Sequence, residues 1–153
     1  MLRTIRIGAL VGILAIAALQ GCAINRESAS VSPDADLSGI KKIYVVRSGP
    51  DGRAINYFIA ADLKRRGFAA TTGEETAVPA DADAVVTYFD KWTWDLTMYM
   101  IELRIFIREP TSDALLAVGD SYHTSLTRKS PEEMVAEVLS NIFARGRDKP
   151  KTQ

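Results

Sequence analysis

The chain holds one cysteine and one histidine among 153 residues. A single cysteine cannot close a disulfide within a monomer. One His and one Cys also cannot furnish a multi-ligand His/Cys metal site, so neither a metal nor another cofactor is expected. Net charge is equally scarce, with 19 Lys and Arg against 19 Asp and Glu. A chain without basic excess has no general pull toward nucleic acid. A bilayer-spanning segment is lacking as well: the apolar run Ile7 to Leu19 is 13 residues, where a spanning helix needs about 18 or more.

That short run has the form of an export signal. Arg3 and Arg6 supply the positive start, the run from Ile7 supplies the apolar centre, and Leu19-Gln20-Gly21-Cys22 closes it. These four residues resemble the lipobox of bacterial lipoproteins: an aliphatic residue, a loosely specified one, a small one, then cysteine. The resemblance implies a diacylglycerol thioether on Cys22, cleavage before it and acylation of the new amino terminus. Several acyl chains together hold a protein firmly at a membrane, where one alone gives only marginal binding. The alternative is an ordinary signal peptide with a chance cysteine. Ala23 and Ile24 follow, with no aspartate; by the same resemblance this implies the inner leaflet of a Gram-negative outer membrane, facing the periplasm. Removal of residues 1–21 leaves 17 basic against 19 acidic residues.

The expected organisation is a signal peptide over 1–21, a lipidated cysteine and flexible tether over 22–39, one α/β domain over 40–146 and a polar tail over 147–153. The tether is rich in Ser, Ala and Asp, and a coil of its length reaches about 20 to 25 Å. Within the domain, Lys41–Val46 reads as a buried strand. Ile55, Phe58, Ile59 and Leu63 recur at helical spacing over Arg53–Arg66, with Gly67 placed to end that helix. Phe68–Thr72 and Ala84–Phe89 are short strands. From Tyr99 to Ile107 the odd positions are apolar, a strand with one buried face. Glu109–Asp113 is a turn, and Leu115–Thr124 the returning strand. Ser130-Pro131-Glu132-Glu133 is a capping box that opens a last helix. The expectation is a mixed sheet of about five strands in the order β-α-β-β-β-β-α, with two helices on one face. The run of helix, Gly67-Phe68, short strand, loop and Ala84-Val85-Val86 resembles the amino-terminal domain of the TolB family, which implies that fold and carries no function.

Chemistry is sparse. Gly119-Asp120-Ser121 invites comparison with the nucleophile block of GDS-type esterases. Asp120, Ser121 and His123 crowd one strand, however, with Asp120 on the opposite face from the other two, whereas a triad needs a third group orienting the histidine. The plainer expectation is that Ser121 and His123 lie on the solvated face of an edge strand. The paired acids Glu74-Glu75, Asp81 with Asp83, and Glu132-Glu133 read as solvated charge. So do the basic clusters Lys64-Arg65-Arg66 and Arg145 to Lys151, with anionic lipid or polysaccharide as the alternative.

The unusual stretch is Trp92 to Met100. If extended, Trp92, Trp94, Leu96, Met98 and Met100 share a face, while Tyr99 begins the opposite, buried alternation. Such a face is covered by a helix of the same domain, by a second chain or by a ligand. Trp92, Trp94, Met98, Met100 and Phe106 are therefore the candidate interaction face. The expected function is a lipid-anchored, non-catalytic envelope accessory protein, held at the membrane through Cys22 and meeting another envelope protein or itself. A carrier of a small apolar or lipid ligand is the second expectation, and an esterase using Ser121 the third.

Overall fold

The computed structural model describes residues 25–49 and 52–148. The expected signal segment, Cys22 and the end of the expected polar tail lie outside the described residues. Six strands form one mixed sheet: β1 (Asn25–Val31), β2 (Lys42–Val46), β3 (Ala69–Gly73), β4 (Ala84–Trp94), β5 (Met98–Arg108) and β6 (Leu115–His123). Their spatial order is β1-β6-β5-β4-β2-β3. β2 runs parallel to β3 and β4, and the remaining pairs are antiparallel. Helices α1 (Ile55–Arg65) and α2 (Pro131–Arg147) complete an α+β fold.

Both helices lie on one face of the sheet. α1 buries Ile55, Ile59 and Leu63, the stripe expected from their spacing. Gly67, at φ +96°, takes the left-handed position after its end. The Phe68 N–H then donates to the Leu63 carbonyl and the Gly67 N–H to that of Lys64, a Schellman closure. α2 begins with the expected capping box: the Ser130 side chain accepts from the Glu133 N–H, and Glu133 accepts from the Ser130 N–H. It buries Met134, Val135, Val138, Leu139 and Ile142, and Phe143 stacks on Phe68 with ring centroids 5.0 Å apart. Beneath the helices lie Val86 of β4 and Leu103, Ile105 and Ile107 of β5.

From residue 40 onward the element order is the expected one. The difference lies before it. Residues 25–31, expected within the flexible tether, are the edge strand β1, paired with β6 from Asn25 opposite His123 to Val31 opposite Ala117. Only Ala29 and Val31 of this strand pack on the core, too little apolar content for a periodic signal. Backbone pairing and polar side chains hold it instead: Ser28 Oγ donates to Asp120 Oδ1 at 2.5 Å, and Asn141 Nδ2 of α2 to Glu27 Oε2 at 2.9 Å. Leu37 and Ile40 are buried too, so the core reaches back before residue 40. At the other end, Arg147 belongs to α2 rather than to a tail.

A second difference sits in β5. Lys91 faces Glu102 but Trp92 faces Met100, so β5 carries one extra residue at this point. The bulge reverses the alternation. Met100 therefore points into the core, while Ile101, expected there, is only half-buried.

Candidate functional site

The bulge also parts Phe106 from the other residues of the expected interaction face, which stay together on one side. Trp92 and Met100 turn toward the helices. Met100 is fully buried and Trp92 packs against the core. The Trp92 indole N–H donates to Asp90 Oδ2 at 2.5 Å, and the Arg53 guanidinium lies 4.0 Å above its ring. The tryptophan is thus held on three sides. Trp94 and Met98 belong to the same face two residues on, yet they are 72 % and 47 % exposed, with Leu96 between them at 88 %. These three crown the tip of the β4–β5 hairpin.

The tip has a neighbour. The segment after β6 makes a short 3-10 turn over Ser125–Thr127, in which Leu126 is 82 % exposed. Arg128 ties this segment to the tip: its guanidinium donates to Thr97 Oγ1 at 2.8 Å, stands 3.8 Å from the Asp95 carboxylate and covers the Tyr99 ring at 4.9 Å. Thr127 Oγ1 in turn donates to the Asn25 side chain at the start of β1. Trp94, Leu96, Met98, Leu126 and the entry of the chain therefore gather at one end of the sheet.

Phe106, the remaining residue of the expected face, is elsewhere. It stands with Val118 and Thr87 on the sheet face turned away from the helices, with the Arg108 guanidinium 5.6 Å from its ring. Phe89 is exposed on the same face. Elsewhere on this face Tyr44 and Val46 of β2 are buried, Tyr44 donating its hydroxyl to the Glu74 carbonyl, and Tyr99 lies under Arg128.

Ser121 and His123 are corrected by the structure. β1 lies outside β6, so β6 is not an edge, and both side chains are buried on the helix side. Residue spacing along β6 does not reveal their partner, Glu137 of α2. Ser121 Oγ donates to Glu137 Oε2 at 2.5 Å and His123 Nε2 lies 2.7 Å from the same oxygen, while Lys129 Nζ donates to Oε1. Burial would raise the Glu137 pKa, but the hydrogen bonds from Lys129, Ser121 and His123 outweigh it and bring it down to about 2. Serine and histidine thus share one acceptor, and the serine–histidine contact of a triad is not made. Asp120 faces the other way and holds Ser28. Beside the cluster a shallow cleft of about 300 Å³ is lined by Asn25, Glu27, His123, Thr127 and Lys129 among others. Its walls are polar, unlike the apolar lining usual for a lipid or small-molecule site.

No family model matches the chain, and no curated protein sequence matches it. Solved structures do share its fold. A variant of PelC from Paraburkholderia phytofirmans, a dodecamer, matches with a TM-score of 0.57 at 17 % identity over 77 % of this chain and 96 % of that one. A second PelC dodecamer from that organism matches with a TM-score of 0.56 at 16 % identity, over 78 % and 98 %. A PDZ domain protein from Parabacteroides distasonis matches at 0.50 and 12 % identity, over 85 % of this chain and 38 % of that one. The fold is therefore one that other proteins adopt with largely different side chains.

Proposed function

We propose that this chain is a lipid-anchored, non-catalytic accessory protein of the bacterial envelope, carried by Cys22 on the periplasmic face of the outer membrane. The sheet face turned away from the helices, around Phe89 and Phe106, is the surface that meets a partner. The observation behind this reading is the placement of both helices on one side of the sheet, with exposed aromatic surface on the other. Both helices cover one face, whereas the other presents Phe89 and Phe106 beside Arg104 and Arg108. Aromatic and arginine side chains are the types enriched where proteins meet. The polar cluster on the helix side supports the non-catalytic part, since Ser121 is fully buried and spends its hydroxyl on Glu137.

A second copy of the chain is the first partner to test, because both PelC neighbours are dodecamers. A photo-crosslinking residue at Phe106, used in intact envelopes, is expected to trap one discrete protein adduct, this chain or another. Absence of any adduct there, with adducts from a helix-face control equally absent, would overturn the partner reading. Cys22→Ser is expected to release the protein from the membrane fraction.

A further inference from the structure

We propose that the hairpin tip is a second membrane contact, seating Trp94, Leu96, Met98 and Leu126 in the headgroup region of the bilayer that carries the lipid anchor. The inference rests on the acylation of Cys22 and adds to it the orientation of the domain.

The argument is one of position. β1 is antiparallel to β6, so its first residue, Asn25, lies at the end where β6 finishes, opposite His123. Glu102 faces Tyr122, which puts Asn25 roughly level with Ile101. Met98 lies three residues further along β5 in the same direction, about 10 Å at the usual rise of a strand. Cys22 precedes Asn25 by three residues, which span at most about 11 Å. An anchor at Cys22 therefore reaches the level of the tip and hardly beyond it. Because residues 25–31 are strand rather than slack chain, the lipid cannot hold this domain clear of the surface. It draws this end of the sheet against the headgroups.

The chemistry of that end fits a bilayer interface. Trp94, Leu96, Met98 and Leu126 are the large apolar side chains exposed there. Tryptophan favours the headgroup level of membranes, and leucine and methionine the acyl boundary just below it. The acid at the tip, Asp95, has Arg128 beside it, and a guanidinium there can also meet lipid phosphate as its stem lies along the apolar surface. The same residues would be a liability in water, since exposed apolar clusters mark contact sites.

The single cysteine makes the test direct. The chain from Cys22 to Gln153 is coupled through Cys22 to a maleimide lipid in vesicles of phosphatidylethanolamine and phosphatidylglycerol. This reproduces the attachment point whatever the cell does to it. Trp94 fluorescence is read in Trp92→Phe, and Trp92 fluorescence in Trp94→Phe. Brominated acyl chains are expected to quench most of the Trp94 emission, with a blue shift on coupling, and to leave Trp92 unquenched. A double substitution, Leu96→Asp with Leu126→Asp, at positions fully outside the core, is expected to abolish the quenching. Trp94 emission that stays red and unquenched in the coupled, folded chain would overturn the proposal. Mass spectrometry of the native protein tests the anchor separately: an unmodified Cys22 thiol refutes the acylation itself, whereas an acylated Cys22 with an unquenched Trp94 refutes only the docking.

Discussion

Trp92 and Met100 stand opposite each other in the β4–β5 ladder and both turn toward the helices, whereas Trp94 and Met98, the next pair on that face, stand in the open. Two tryptophans two residues apart in sequence thus have opposite duties. Trp92→Ala is expected to cost about 2–3 kcal/mol in a urea titration, as removal of a large, partly buried ring does. Trp94→Ala is expected to stay within about 0.5 kcal/mol of the parent. Equal losses for the two would refute the division.

Glu137 makes stability depend on acid. Its carboxyl titrates near pH 2 in the folded chain and near 4.5 when free. A lowered folded pKa gives stability that is present above the unfolded value and drains away as pH falls through the folded one. The window is therefore about pH 4.5 down to about pH 2. Asp81, Asp83, Glu109 and Glu133 are lowered as well, so the informative quantity is a difference. Allowing for solvent screening, the parent is expected to lose about 1–2 kcal/mol more across this window than Glu137→Gln. Parallel stability curves for the two would show that the carboxylate is not held by its three donors.

Gly119 sets how closely α2 approaches the sheet. A Cβ at this position would lie 2.9 Å from Cγ1 of Ile142 and 3.0 Å from Cγ1 of Val138. Gly119→Ala is expected to destabilise by about 1–3 kcal/mol, the usual cost of overpacking. The loss should shrink when Ile142→Ala is already present, because the two sites are in contact. Thermal melts of the four proteins in the cycle measure the coupling, and strict additivity would argue against the close approach.

Removing β1 tests whether the segment after Ile24 is tether or structure. A chain beginning at Pro33 loses the packing of Ala29 and Val31 and exposes the edge of β6. The expected cost is about 2 kcal/mol of stability, together with a tendency to aggregate through the bared strand. An unchanged denaturation midpoint would restore the tether reading.

Local signals in the chain foretold most elements because they act locally. Ser130 and Glu133 close a box three residues long, and Gly67 supplies a backbone angle that other residues resist. Both follow from short-range chemistry and need no partner elsewhere. Trp92, Trp94, Met98 and Met100 do share a face, but that face turns to the helix side and Phe106 falls on the other, because strand alternation assumes an unbroken ladder. The bulge at Lys91/Trp92 is a property of two strands and leaves no mark in either alone.

The amino-acid sequence by itself determined the order β-α-β-β-β-β-α from residue 40 onward and the helix ends, since each rests on patterns or contacts within a few residues. Tertiary structure alone decided that residues 25–31 pair as an edge strand. It also decided that Ser121 and His123 meet Glu137 from α2, and that Asn25 of β1 meets Thr127 at the end of the sheet that carries the hairpin tip. The physical reason is the same in each case: the partners lie far apart along the chain, and only the packing of the sheet against its helices brings them within hydrogen-bonding or van der Waals reach.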